Sequence, residues 1–177
     1  YKFEDDLDNF IIIATTRPET IFADSAVAVN PNDDRYKDII GKKVLVPIIN
    51  KPIPIIADEY ADKEKGSGAV KITPSHDPND FEVGSRHDLG QLVIMDGKGY
   101  LNENAGDYAG MERYEARKKI IEDFEKLGYY IGKKHHHNAV GHCERCKTVI
   151  EPLLSKQWFV RMKELADKTL ADCQGSP

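Results

Sequence analysis

Two polar stretches, each following a β-like apolar run and each broken by proline, constrain this chain most. The first is Thr15-Thr16-Arg17-Pro18-Glu19-Thr20, at the end of the apolar residues 10–14. The second is residues 66–80, GSGAVKITPSHDPND, which opens on a short apolar run. This layout ends a strand at the rim of a sheet and hands the chain to a loop, where functional side chains stand on a rigid scaffold. The two stretches are expected to meet and line one pocket.

Length and composition bound what such a pocket can belong to. A chain of 177 residues holds one domain with a real core, or one plus a small appendage. Charged residues make up 31% and apolar residues 40%, the balance of a soluble globular protein. Apolar runs such as 44–49 are too short to span a membrane. Glu4, Asp5, Asp6 and Asp8 stand where a secretory signal needs basic residues, so no export is expected and the cytoplasm is the expected location. A net charge of −5 disfavours a broad basic grip on long nucleic acid, but leaves room for a short contact with a nucleic-acid end. Three cysteines, two of them in one Cys-x-x-Cys, suit a reducing compartment and a metal or redox motif rather than a disulfide framework. Both ends read as cuts: Tyr1 runs almost directly into a strand, and Gln174-Gly175-Ser176-Pro177 trails from a helix. The expectation is an excised piece of a longer protein.

Residues 10–14 read as a buried strand, because β-branched side chains suit a pleated surface. Thr16 is placed to cap a short helical turn with Pro18 near its first position. Residues 26–29 are the next strand, and 33–40 a short helix closed by Gly41. Residues 44–56 are β-rich but contain Pro47, Pro52 and Pro54, which cannot donate to a ladder, so edge or bulged strands are expected there. Several short strands in succession favour a barrel or a curled sheet. Residues 78–87 form a helix with Pro78 at its first position and Asp77 as its cap. Residues 92–95 are a strand before a turn at Asp96-Gly97-Lys98-Gly99. Residues 112–127 are the clearest helix, with Tyr114, Ile120, Ile121, Phe124 and Leu127 on one face and Gly128 past its end. Strands at 129–137 and 147–150 and a helix at 161–172 complete the reading.

Lys71 and Thr73 are two apart on a strand and share a face. Asp77 caps the following helix and Asp80 sits one turn in, where a carboxylate offsets the helix dipole. Capping and ligand binding are compatible, since a capping carboxylate is held rigidly and can present its second oxygen outward. A lysine and two aspartates at one rim suit a ligand carrying an amino group and a carbonyl. Arg17, Glu19 and Thr20 read either as a solvated turn or as polar groups crowded against a buried strand, where an unpaired one costs roughly 1–3 kcal/mol. His76 is a candidate general base, weighed against the structural role more usual for a histidine beside a helix start. His87 and His135-His136-His137 read as surface residues. Gly66-Ser67-Gly68 lacks the Gly-Lys-Ser/Thr ending of a phosphate loop and reads as a hinge or a place of close ligand approach. Cys143-Glu144-Arg145-Cys146 is half of a zinc knuckle; a structural zinc needs four ligands, for which His142 or His137 are the further candidates. Redox chemistry would need the motif at a strand-to-helix turn, which the β-like residues 147–150 do not supply.

Taken together, these residues resemble the editing domain inserted in class I aminoacyl-tRNA synthetases for valine, isoleucine and leucine. Thr15-Thr16-Arg17-Pro18-Glu19-Thr20 and residues 66–80 are similar to its two signatures. Lys71-Ile72-Thr73-Pro74-Ser75-His76-Asp77 resembles the valine branch; the isoleucine and leucine branches carry His-Thr-Ala-Pro-type and Met-Ala-Val-Pro-type runs there. Gly141-His142-Cys143, Glu151-Pro152 and residues 154–160 resemble the stretch where the insert returns to the catalytic core. The likeness covers about residues 10–160, and the adenylation signatures of class I are absent.

The resemblance implies an α+β fold with a β-barrel core decorated by helices. It implies an editing domain over residues 1–137, with 138–177 as a connective Cys-x-x-Cys segment and terminal helix. It implies hydrolysis of threonine wrongly esterified to the valine tRNA. Carried over residue by residue, Asp77, Lys71 and Thr73 are the catalytic positions, and Arg17, Thr16, Thr20 and Asp80 bind substrate. Asp77 would hold the α-ammonium and Asp80 the threonine hydroxyl. Thr20, Thr73 and Lys71 would orient the ester and the attacking water, and Arg17 would meet the terminal adenosine or its phosphate. The implied partners are the aminoacylated 3′ end of tRNA(Val), its threonine moiety and the rest of the synthetase, with no membrane. No cofactor is implied for editing; ATP and magnesium would serve the full-length ligase. Relatives that bind zinc here supply a second cysteine pair upstream of the insert, so Cys143 and Cys146 are expected to be an empty half-site. Two other readings stay open: an isoleucine-type domain clearing Val-tRNA(Ile), and a non-catalytic tRNA-binding or zinc module centred on the cysteine pair.

Overall fold

The computed structural model describes residues 1–137 and 139–174. Asn138, at the expected segment boundary, and the tail at 175–177 lie outside the described residues. The fold is built on β2 (Ala26–Val29), whose sequence AVAV is buried on both faces. Its valines enter the larger core and its alanines the smaller one. β2 pairs with β4 (Pro52–Ala57) in parallel and with β5 (Ala69–Ile72) antiparallel. Beyond β4 come β3 (Lys43–Leu45) and then β1 (Lys2–Phe3), both antiparallel, giving the order β1-β3-β4-β2-β5.

The five strands form an open sheet, with β1 and β5 as unpaired edges rather than partners. The barrel expected from the sequence is therefore not formed by the described strands, and the fold is α+β on an open sheet. Closure requires tilted strands with a constant stagger in register. Strands of two to six residues give ladders too short to carry it. The prolines of β4 fit an interior strand because that strand changes partner along its length. Pro52 and Pro54 lie in the half that faces β3, and β2 joins only from Ile55. The Ile55 N–H still donates to the Lys42 carbonyl at 2.8 Å, so the ladder loses no donor there.

Several other elements depart from the sequence expectation. Residues 10–14 are not a buried strand. Ile11 is 3% exposed but Phe10 is 59% exposed, and only Phe10 forms a bridge, to Lys2. The run is extended chain that lays alternate side chains on the core. Within 33–40 only Lys37–Ile39 winds into a 3-10 turn. The Asp33 carboxylate accepts from the Arg35 N–H and pairs with its guanidinium, which favours a turn over a helix start. Met95 pairs with Leu101 around the turn at 96–99, and Val149 pairs with His142, but neither segment is a full strand. Residues 129–137 form no strand.

The helices follow the sequence more closely. α1 (Pro78–Arg86) starts on Asp77, and α2 (Arg113–Leu127) starts on Glu112 and ends on Gly128 at φ +74. Only glycine adopts that left-handed geometry without strain. The buried stripe of α2 is Arg113, Ala116, Ile120 and Phe124, while Tyr114 and Leu127 are exposed. The stripe is offset from the expected face, sharing only Ile120 and Phe124 with it, and α2 packs against the 3-10 turn Pro18–Ala23. α1 lies equally close to the chain after β5: a Cβ on Gly84 would stand 2.7 Å from Pro74 Cγ. α3 (Met162–Gln174) follows an exposed stretch containing Trp158 and Phe159. No helix of the described residues is long and apolar enough to cross a membrane.

Glu19 fastens the Pro18–Ala23 turn to α2. It is fully buried and receives both Arg117 Nε and Nη2 at 2.7 Å. Removing one partner of a buried, bidentate pair leaves the other charge uncompensated and costs about 3 kcal/mol or more. Glu19→Ala is expected to lower the unfolding free energy by about that amount, read in a urea titration, and the double variant with Arg117→Met to recover part of it.

Candidate functional site

The two polar stretches meet at the end of β5, and their meeting is direct. Arg17 Nη1 donates to the His76 carbonyl at 2.8 Å, across 59 residues of sequence. At the end of the Pro18–Ala23 turn, Asp24 reaches β5. Its Oδ1 accepts from Lys71 Nζ at 3.1 Å and from the Thr73 hydroxyl at 2.6 Å. Its Oδ2 accepts from the Tyr1 hydroxyl, and its backbone carbonyl accepts from Lys51 Nζ at 3.0 Å. Lys71 also donates to Thr73 Oγ1. Asp24 and Thr73 are buried and Lys71 nearly so. Burial raises the Asp24 carboxyl above its usual range, opposed by the Lys71 charge and the Thr73 and Tyr1 hydrogen bonds.

Asp77 and Asp80 stand over the same strand end. Asp77 Oδ1 caps α1, accepting from the N–H of Asn79 at 2.8 Å and of Asp80 at 3.3 Å. Its Oδ2 takes no bond from the described residues, so the cap keeps one oxygen outward. Asp80 is 6% exposed, and its Oδ2 accepts the Thr73 N–H at 2.8 Å. Burial pushes Asp80 up to about 6, with the Asp77 and Asp24 charges adding and Lys71 opposing. Burial, together with the Asp80 and Asp77 charges, holds the Tyr60 phenol well above its ordinary value. Lys71 and Asp80 thus bond to Thr73, with Asp77 beside Asp80 at the start of α1. Thr20 is buried beside Arg17 and donates its hydroxyl to the Arg17 carbonyl at 3.0 Å. Thr16 is exposed at the bend before it and makes no described side-chain bond; Thr15 Oγ1, not Thr16, accepts the Arg17 N–H at 3.0 Å.

His76 is not built as a base. It is 2% exposed, and its Nε2 accepts the Ile94 N–H at 3.0 Å, which fixes the neutral ring. Burial, with the Arg17 and Lys71 charges, pushes it down to about 4. Of its two sequence readings, the structural one holds. His87 is also bound, to Asp58 at 2.9 Å, beside Arg86. Several of the polar side chains of the two stretches are bonded to one another or to nearby backbone. A hollow of about 230 Å³ beside His76 is lined by Gly97, Arg113, Glu151 and Pro152. A shallower one of about 390 Å³ lies by Asp58, Tyr60 and Arg86.

Five participants were not marked as site residues in the sequence: Asp24, Tyr1, Lys51, Arg113 and Glu151. Glu151 pairs with Arg17 Nη2 and lies 3.3 Å from Arg113 Nε, which brings the chain around Glu151 against the site. No local signal marks a pair 134 residues apart. Asp24 did carry one: it is a lone carboxylate between the apolar runs 21–23 and 26–29. Cys143 and Cys146 sit on a tight turn, with Cys143 N–H donating to the Thr148 carbonyl at 2.8 Å and Lys147 N–H to the Cys143 carbonyl at 2.9 Å. Hydrogen bonding with Thr148, and with Cys143, pushes the Cys146 thiol down to about 7. Among the described residues no three His, Cys, Asp or Glu side chains gather as a metal-ligand group.

Asp80 and His76 make opposite contributions to stability against pH. The folded Asp80 value lies above its unfolded 3.8, so its contribution is full below 3.8 and lost as pH rises through about 6. The folded His76 value lies below its unfolded 6.5, so its contribution is full above 6.5 and lost as pH falls through about 4. Asp80→Asn removes the first and leaves the second. On going from pH 4 to pH 7, Asp80→Asn should gain on the wild type by on the order of 2–3 kcal/mol in denaturant titrations. A difference that stays constant with pH would show Asp80 to be ionised as an ordinary surface carboxylate is.

No family model matches this chain. It is similar to valine–tRNA ligases: 59% identical over 170 residues to that of Carboxydothermus hydrogenoformans, 58% over 161 to that of Clostridium tetani, and 56% over 166 to that of Listeria innocua. These matches take in 91–96% of this chain but only 18–19% of each ligase, so the chain spans about a fifth of the length of the curated relatives it matches. The likeness read from the two polar stretches is thus a likeness to one segment of the valine–tRNA ligases.

Proposed function

We propose that this relative of a valine–tRNA ligase segment is the ligase's proofreading part, which hydrolyses the ester of threonine wrongly attached to the valine tRNA. The observation that carries the reading is the bonded meeting of Arg17 and Asp24 with residues 71–80 around Thr73. The need for such a site is physical. Threonine and valine are near-isosteric, and an apolar pocket rejects the added hydroxyl only about 10²-fold, a figure already known for valyl enzymes. A second site must accept threonine and refuse valine.

On this reading the outward Oδ2 of Asp77 receives the α-ammonium of the threonyl ester. Asp80, buried and short of solvent, accepts the side-chain hydroxyl. Valine would leave that acceptor unpaired at a cost of roughly 1–3 kcal/mol. Thr20, Thr73 and Lys71 orient the ester carbonyl and a water, Thr16 binds substrate beside them, and Arg17 lies toward the terminal adenosine or its phosphate. The water oxygen bonds to the carbonyl carbon, the carbon–oxygen bond to the ribose breaks, and the ribose oxygen takes a proton. Free threonine and intact tRNA leave. Orientation and carbonyl polarisation supply the acceleration, without a covalent intermediate. ATP and magnesium would serve aminoacylation by the full-length ligase. The proposed partners are the aminoacylated 3′ end of tRNA(Val) and the remainder of the ligase, in the cytoplasm. The barrel expected from the resemblance is no part of this proposal, since it rests on the rim of an open sheet.

Deacylation tests it, with the chain inside its full-length ligase and Thr-tRNA(Val) and Val-tRNA(Val) as substrates. The threonyl ester should be cleaved at least about 10-fold faster than the valyl ester. Asp77→Asn keeps the helix cap, since asparagine caps as well as aspartate, but removes the charge facing the ammonium. It should slow the threonyl reaction by on the order of 10- to 100-fold. Equal rates on the two esters, or an undiminished rate for Asp77→Asn, would overturn the assignment.

A further inference from the structure

We propose that Arg17 and Arg113 form an anion site for a phosphate of the RNA 3′ end, and that Glu151 fills it until that phosphate displaces the glutamate. The inference rests on the hydrolytic reading above and deepens it, by naming the groups that draw in the nucleotide carrying the ester. Arg17 Nη2 pairs with one carboxylate oxygen of Glu151, and Arg113 Nε stands 3.3 Å from the other. Two guanidinium groups from distant parts of the chain thus converge on one carboxylate, an arrangement that suits a phosphate equally. Both are held in place without Glu151. Arg17 Nη1 donates to the His76 carbonyl at 2.8 Å, and its Nε lies 3.5 Å from Glu19 Oε1. The Arg113 backbone N–H donates to the Gly99 carbonyl at 3.0 Å, and its guanidinium lies 4.7 Å from the Tyr114 ring centroid. A Cβ at Gly99 would stand 2.8 Å from Arg113 Nη1, so glycine is what admits the guanidinium there.

The carboxylate fills this site poorly. Arg113 is 8% exposed, and its Nε makes no hydrogen bond with any described residue although Glu151 is near. A buried donor left in that state points to a partner still to come. Beside it lies the hollow of about 230 Å³, walled by the turn 96–99, Arg113 and Glu151. That hollow gives a phosphate and its sugar room for which a docked ion pair has no use. Arg17, Arg113 and Lys98 face the site. Against them stand Glu151, Glu112 at 3.9 Å from Arg113 Nε, and Asp96, which accepts from the N–H of Lys98 and Tyr100. Glu19 is committed to Arg117. The local charge is therefore even with Glu151 in place and positive once it leaves. The chain around Glu151 can leave, because charge rather than a ladder ties it down. Among the described residues, the polar ties of 139–174 to 1–137 are the two Glu151 pairs and the contact of His76 with the Pro152 carbonyl. Its one bridge, His142 with Val149, is internal. Ionic ties near the surface yield to salt and to a competing anion.

Calorimetric binding of adenosine 5′-monophosphate to this chain at low salt tests the site, with adenosine and inorganic phosphate as controls. Glu151→Gln removes the resident anion and should tighten the nucleotide at least about 5-fold, with adenosine moved by less than about twofold. Adding Arg113→Gln should abolish the gain. A glutamate that only docked its segment would give the opposite: Glu151→Gln would weaken the nucleotide or leave its affinity unchanged, and either result overturns the proposal. Inorganic phosphate should bind at least about 3-fold more weakly than the nucleotide, and equal binding overturns the assignment to an RNA end. Should Glu151→Gln fail to fold, hydrogen exchange of the wild-type chain decides. The nucleotide should speed exchange in residues 149–153, and protection or no change there overturns displacement. In the full-length ligase, Glu151→Gln should lower KM for Thr-tRNA(Val) deacylation at least about 3-fold; a raised or unchanged KM overturns the proposal. If the wild-type ligase cleaves no threonyl ester, the hydrolytic reading fails, and the nucleotide titrations still decide whether Glu151 occupies a phosphate site.

Discussion

A charge taken out of water at the end of a sheet must be met by an opposite charge or by hydrogen bonds, and the pairing of Asp24 with Lys71 at 3.1 Å answers that demand here. The pair joins the end of the Pro18–Ala23 turn to β5, two parts of the chain 47 residues apart. Once it forms, Thr73 is drawn in through its hydroxyl, and its N–H is left to Asp80 at 2.8 Å. The start of α1 is thereby set against the same strand end. The hydrophobic core brings these segments near one another, but it is non-directional and cannot orient them. The buried polar contacts do that.

A second layer of charge surrounds the first. Arg17 is held by the His76 carbonyl and by Glu151, while Glu19, two residues on, is committed to Arg117 of α2. Adjacent parts of one short motif therefore serve different ends. Glu19 locks the turn to α2, whereas Arg17 joins the second polar stretch and Glu151. The arginines at this junction also lie against an aromatic face, with Arg113 4.7 Å and Arg117 5.3 Å from the Tyr114 ring centroid. This placement explains an aromatic that periodicity assigned to the core and that the structure leaves half-exposed.

Much of the local structure was legible because its causes are local. Pro78 with Asp77 before it defines the start of α1, and Gly128 the end of α2, through backbone geometry that neighbouring residues dictate. The AVAV of β2 reads as a strand in any context that buries it. Errors fell where burial decides. Residues 10–14 have β composition but no neighbour to pair with along their length, so they stay an extended strap. Residues 129–137 likewise have strand-forming side chains and no ladder.

The candidate site divides along the same line. The sequence by itself determined which residue types follow two apolar runs, that Asp77 caps a helix, that Lys71 and Thr73 share a face, and that the chain resembles a synthetase segment. It left open which of those side chains bond to each other, because that depends on partners far away in the chain. Only the tertiary structure decided that Asp24 anchors Lys71 and Thr73, that His76 is a neutral acceptor for the Ile94 amide, that Glu151 closes over Arg17, and that the strands end in an open sheet. The physical reason is range. Propensity, capping and side-chain periodicity act over a few residues, whereas the cost of burying a charge is met by whatever opposite charge the fold brings within about 3 Å, however distant it is in sequence.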